Sequence, residues 1–145
     1  MTLAVLWSLL SLSSSCVSFR TATSMPKEPI LEKIDFCSAV KEGPDILKAA
    51  ESIDAFDSDD QRIYCLIKVW IVPGPMTLRW KWYSPERTLW RDTGEVEVAL
   101  EPKPVSSITA YDRVPTGPGT LAKGTWTVVI FLNGHFAGRR SFQLM

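Results

Sequence analysis

The sequence predicts an all-β protein, an antiparallel sandwich of about seven to nine short strands preceded by an N-terminal signal segment. Three observations carry that prediction. From Ile30 onward the hydrophobic pattern has period two, the repeat that sends alternate side chains to opposite faces of a strand. The runs are short and separated by turn-forming groups such as Pro73-Gly74-Pro75, Ser84-Pro85 and Gly117-Pro118-Gly119. No alternation of strands with helical patterns competes, so a parallel βαβ architecture is excluded and a sandwich is what remains.

In chain order, residues 1–15 read as a signal peptide, 16–29 as a tether and 30–145 as the sandwich domain. Met1 to Phe19 contain no charge, and Leu3 to Leu12 are apolar except for Ser8 and Ser11. A bilayer-spanning helix needs about 20 apolar residues, whereas Ser13, Ser14 and Ser15 close this run after about ten, the length of a secretory h-region. Val17 to Pro29, with their Ser, Thr and Pro, then serve as the tether.

Within the domain, Ile30 to Cys37 and Ser52 to Phe56 are strand candidates, and Asp45 to Ala50 has room for one helical turn. Arg62 to Val72 is apolar on nearly both faces and reads as a central strand. Leu78, Trp80 and Trp82 alternate with Thr77, Arg79, Lys81 and Tyr83, which gives a strand with one wet face. Arg87 to Arg91 is a short candidate. After the Thr93-Gly94 turn, Val96, Val98 and Leu100 oppose Glu95, Glu97 and Glu101. Val105 to Tyr111 follows. Thr125 to Leu132, Asn133-Gly134 and His135 to Leu144 make a hairpin, because Asn and Gly both accept the positive φ of a two-residue turn.

Composition bounds the function. Sixteen basic residues balance sixteen acidic ones, so there is no excess charge to condense on nucleic acid or on an anionic membrane. Catalytic sets are missing as well. His135 is the only histidine and follows the Asn-Gly turn, where exposure is ordinary; no Gly-x-Ser-x-Gly elbow accompanies it. Asp57, Asp59 and Asp60 have the spacing of a calcium loop, but Arg62 and Lys68 stand where such a loop needs Gly and Glu. Three cysteines and one histidine lie too far apart for zinc. Thr116-Gly117-Pro118-Gly119-Thr120 lacks the Lys-Ser/Thr ending of a phosphate loop. The reading is therefore no enzyme, no metal and no cofactor. Arg139 and Arg140 point to opposite faces of one strand, so at most one can join a binding surface, and a local ion pair is the ordinary role for either.

The aromatic residues are the remaining enrichment. Trp80, Trp82 and Trp126 fall on apolar faces and belong to the core. Trp90, in a short segment, and Tyr83, on a polar face, are the two rings placed to stack on a sugar or a partner.

Two resemblances add to this reading. Leu12-Ser13-Ser14-Ser15-Cys16 resembles a bacterial lipobox, with its aliphatic residue one place early; the resemblance implies lipidation at Cys16, and simple cleavage of the signal is the alternative. The strands with Phe36-Cys37 and Ile63-Tyr64-Cys65, the run Arg79 to Pro85, and Gly124 to Gly134 closing on Gly138 to Phe142 resemble small bacterial envelope domains of unknown function with an immunoglobulin-like sandwich. That likeness implies an exported protein, periplasmic or an outer-membrane lipoprotein, held to the membrane by a lipid anchor where Cys16 is modified. If Cys16 is consumed by lipid, Cys37 and Cys65 remain as an even pair, candidates for a disulfide in an oxidising compartment. The function expected is a non-enzymatic envelope module that binds another protein or assists assembly. The alternative is a carbohydrate-binding module that reads a glycan through Trp90 and Tyr83.

Overall fold

The computed structural model of the chain describes residues 27–42, 47–49, 52–60, 62–71, 74–98, 106–117 and 119–145. The signal segment, Cys16 and most of the tether lie outside the described residues. The strands are β1 (Ile30–Cys37), β2 (Val40–Glu42), β3 (Leu47–Ala49), β4 (Ala55–Phe56), β5 (Arg62–Ile71), β6 (Met76–Tyr83), β7 (Leu89–Asp92), β8 (Val96–Val98), β9 (Ser106–Pro115), β10 (Gly124–Leu132) and β11 (His135–Leu144). Two sheets face each other. One has the order β1-β5-β9; the other has the order β4-β11-β10-β6-β7, with β8 also on β6. All pairings are antiparallel except the two-residue contact of β4 with the end of β11.

Alternation builds the core as the sequence predicts. Along β6, Met76, Leu78, Trp80 and Trp82 are buried while Thr77, Arg79, Lys81 and Tyr83 lie half-buried on the outer face. Trp126, Val128, Ile130 and Leu132 of β10 face the same interior, as do Ile63, Cys65, Ile67, Val69 and Ile71 from β5 of the other sheet. Phe142 of β11 is the hub: its ring centroid lies 4.9 Å from that of Phe36 and 5.4 Å from that of Phe56, both edge-on, and 6.4 Å from that of Trp126 in a stacked arrangement. Leu31 of β1 packs over Gly138 of β11, its Cδ2 lying 2.8 Å from where a Cβ would stand.

The hairpin between β10 and β11 turns on Asn133 and Gly134, at φ 50° and 77°. Asn133 also extends the sheet, because its Oδ1 accepts a hydrogen bond from Thr77 N at 2.9 Å and its N–H donates to Thr77 O.

Each seam of the sandwich is closed by an arginine that crosses from one sheet to the other. Arg91 of β7 donates from Nε and Nη2 to the Asp112 carboxylate of β9, at 2.9 and 2.8 Å, and Trp82 Nε1 donates to the same carboxylate at 2.8 Å. At the opposite seam Arg140 of β11 bonds the Ile34 carbonyl and pairs with Asp35 and Asp54. Burial alone would raise the pKa of Asp35, but hydrogen bonds from Lys33, Ser52 and Arg140 outweigh it and hold the carboxyl below its usual value.

Four expectations are corrected. Asp45 to Ala50 contributes the strand β3 in place of a helical turn, paired with β2. This ribbon passes close to β1 and β9, the two strands flanking β5; it raises the strand count above the seven to nine anticipated. The strand β5 is central but not dry on both faces. Leu66 is buried, whereas Lys68 is half-exposed and Trp70 exposed, so the outward face of β5 is open toward its C-terminal end. Val96 is exposed, not buried, since β8 is an edge strand.

The fourth correction concerns the cysteines. In the β1–β5 register Phe36 stands opposite Cys65 and Cys37 opposite Tyr64. Directly opposed residues share a face, so Cys65 points with Phe36 into the core and Cys37 points to the other side. Both are buried thiols and the bridge is not formed, because their Cβ vectors diverge across the sheet. Burial pushes the Cys65 thiol well above its usual pKa.

Candidate functional site

The outer face of the larger sheet is where unspent chemistry collects. Pairing sets side chains there in rows across the strands: Ser141, Thr127 and Tyr83; then Arg139, Val129 and Lys81; then Phe136, Phe131 and Arg79. At one end the chain leaves β6 through a tight turn in which Arg87 N donates to Ser84 O and Ser84 N to Thr88 O. Arg87 sits at φ 63°, a left-handed conformation that costs a residue with a Cβ about 1 kcal/mol or more. The turn packs against the start of β10, where Gly124 leaves no room for a Cβ beside Pro85. Between the turn and β11 lies an open groove of about 720 Å³, with Tyr83 and Pro85 on one side, Thr127 and Val129 on its floor, and Arg87 and Arg139 at its margins.

Every other arginine among the described residues is engaged. Arg79 forks onto Asp92 at 2.8 and 2.6 Å; with a hydrogen bond from Gly94 N, this holds the Asp92 carboxyl far below the usual carboxylate range. Arg91 and Arg140 close the seams. Arg113 and Arg62 lie beside the Tyr64 hydroxyl and favour its ionised form, which lowers its pKa. The guanidiniums of Arg87 and Arg139 make no hydrogen bond or ion pair among the described residues, and both residues line the groove. Beyond the groove Lys81 Nζ lies 5.2 Å over the Phe131 ring, and Phe136, 62% exposed, packs edge-on to Phe131.

Of the two rings singled out in the sequence, only Tyr83 lines this groove. The β6–β7 register shifts between Trp82 and Tyr83, so that Trp82 opposes Arg91, Tyr83 opposes Leu89, and Trp90 is an extra residue without a partner. The bulge turns Trp90 toward the interior face, where its ring meets Trp126 edge-on at 5.6 Å. Trp90 is 41% exposed yet belongs to the margin of the core, and the two rings form no common platform. Arg87 and Arg139 were missed as a pair because they stand 52 positions apart in the numbering; only the register of β6, β10 and β11 brings them to one groove.

The remaining sequence candidates are dispersed. His135 is exposed at the start of β11. Asp60 accepts a hydrogen bond from Asp57 N at 3.0 Å, which makes that acidic segment a local turn.

The sequence matches no family model and no curated protein. Among solved structures the fold is similar to the Pseudomonas fluorescens alkylpurine DNA glycosylase AlkC bound to DNA containing an abasic site analog, with a TM-score of 0.54 and 11% identity, over 81% of this chain and 30% of that one. It is also similar to an immunoglobulin-like protein from Pseudomonas aeruginosa, with a TM-score of 0.50 and 15% identity, over 81% of this chain and 97% of that one. The chain thus spans less than a third of the glycosylase and nearly all of the immunoglobulin-like protein. At such identities a likeness carries the fold and nothing of activity. Together with the two facing sheets, it makes this chain an immunoglobulin-like β-sandwich.

Proposed function

We propose that the protein is a non-enzymatic interaction module of the bacterial cell envelope, exported by its N-terminal segment and anchored through a lipid on Cys16, that docks another envelope protein on the outer face of its larger sheet. One observation carries this reading: that face presents a groove bordered by two arginines whose guanidiniums have no partner among the described residues, and it continues into the exposed Phe136 ring. Aromatic rings and arginines are the residue types enriched at interaction hot spots, and this face brings both together. The carbohydrate-binding alternative keeps Tyr83 but loses Trp90 as its second stacking ring.

The test is site-specific photocrosslinking in intact cells. A photoreactive phenylalanine at Thr127, on the groove floor, should give a discrete protein adduct. The same residue at Ser107, exposed on the opposite sheet, should give none. Absence of an adduct at position 127, or equal adducts at both positions, overturns the assignment of this face. Fractionation checks the anchor: wild type sediments with membranes and Cys16→Ser is released.

A further inference from the structure

We propose that the groove docks an extended acidic peptide segment of the partner, two of whose carboxylates take the guanidinium forks of Arg87 and Arg139 while an apolar side chain lies against Phe131 and Phe136. The inference rests on the interaction-module reading and specifies the partner's chemistry.

Three observations select this occupant. The first is charge complementarity. The charged side chains that line the groove are both guanidiniums, with Lys81 in the next row, and a planar fork is matched by a carboxylate. The second is what the floor cannot offer. The hydroxyls of Thr125 and Thr127 are tied to Gln143 Oε1 and Ser141 Oγ, each at 2.8 Å, so the floor's polar groups are fixed within the sheet and the arginines at the margins are the groups most available to an incoming ligand. The third is repeat length. Outward residues Thr125, Thr127, Val129 and Phe131 recur along β10 at about 6.6 Å, and a peptide running along the strand presents every second side chain at the same interval. Seven extended residues span about 20 Å, from the Arg87 turn to the Phe131–Phe136 pair.

Arg87 supplies an independent hint. Its left-handed backbone would be relieved by glycine, so an arginine is held there at a cost in stability. That makes Arg87→Gly a clean probe, since it removes the guanidinium without threatening the fold.

The experiment uses a fluorescein-labelled heptapeptide that alternates glutamate with threonine and ends in leucine, its glutamine counterpart, and polygalacturonate as competitor, read by fluorescence anisotropy. The glutamate peptide should bind at least tenfold more tightly than the glutamine one and weaken as salt rises. Arg87→Gly and Arg139→Gln should each reduce its affinity about tenfold, with Tm unchanged or, for Arg87→Gly, raised. Equal binding of the two peptides, or undiminished binding by both variants, overturns the proposal. Displacement by polygalacturonate at lower concentration than by unlabelled peptide overturns it in favour of a glycan. The two readings separate in the crosslinking assay. An adduct at position 127 that survives the Arg87→Gly/Arg139→Gln double variant keeps the interaction face and removes the acidic partner; no adduct from wild type removes the face itself.

Discussion

Removing the Asp112 carboxylate should open one seam of the sandwich at a cost that can be apportioned in advance. Its side chain is 11% exposed and receives three hydrogen bonds, two from Arg91 and one from the indole of buried Trp82. Asp112→Ala strands the Trp82 N–H in the interior, a loss of about 2 kcal/mol. The ion pair adds less, about 0.5–1 kcal/mol, because the Arg91 side chain is 43% exposed and solvent screens it. The total of about 3 kcal/mol corresponds to a fall in Tm on the order of 10 °C for a domain of this size. Asp112→Asn keeps an acceptor for the indole but turns an NH2 toward Arg91 Nη2, giving up the ion pair and one exposed hydrogen bond, so it should cost about 1 kcal/mol. Arg91→Met should cost as little, and adding it to Asp112→Ala should change almost nothing, because the pair is already gone. Urea unfolding followed by tryptophan fluorescence measures all four variants. An Asp112→Ala cost below about 1 kcal/mol, or an Asn variant as unstable as the Ala variant, would refute the division of labour.

Other outcomes follow from the same coordinates. Gly138→Ala should destabilise by no more than about 1 kcal/mol, because its Cβ meets the far end of the Leu31 side chain, which can turn aside; a larger loss in urea unfolding would show that Leu31 is held in place. Trp90→Ala should lower stability by about 1–2 kcal/mol through loss of the edge-on contact with Trp126, while leaving peptide anisotropy at the groove unchanged. Arg79 depresses the Asp92 pKa below that of the unfolded chain, about 3.9. Its contribution is therefore fully present above that value and is lost progressively as pH falls toward the depressed folded-state pKa, so urea midpoints of wild type and Asp92→Asn should differ at pH 7 and the difference should shrink steadily below about pH 4. Under oxidising conditions the Cys16→Ser protein should keep Cys37 and Cys65 as thiols that react with a disulfide reagent only after unfolding; a mass 2 Da lower in the native protein would contradict the register-based geometry.

Where one residue type decides one local conformation, the chain could be read directly. Asn133-Gly134 fixes a hairpin through φ, and Trp80, Trp82 and Trp126 announce a buried face through alternation. What could not be read depends on pairing between distant strands. Cys37 and Cys65 sit in strands that do pair, yet a register offset of one residue sends them to opposite faces, and no local signal reports that offset. Trp90 is exposed, as its short polar segment suggests, but a bulge that no local signal reports sets one edge of its ring against Trp126. Asp45 to Ala50 carries no alternation, so its strand character comes from the ribbon partner alone. The groove is a pairing product too, assembled from the turn after β6, the floor of β10 and the outer row of β11.

The bulge at Trp90 has a bearing on solubility. A sheet margin with unpaired backbone groups is a template on which another chain can add, and this one carries exposed Leu89, Trp90 and Val96. Its lengths are four and three residues, β7 and β8, separated by Thr93 to Glu95, where Thr93 Oγ1 rather than a backbone carbonyl accepts the hydrogen bond from Trp80 N. The bulge spoils the first length and Gly94, at φ 67°, bends the chain before the second. An incoming strand would find no run of consecutive donors and acceptors long enough to nucleate a ladder. The sandwich can therefore display apolar side chains at its rim while denying them the continuous backbone that would turn contact into fibril growth.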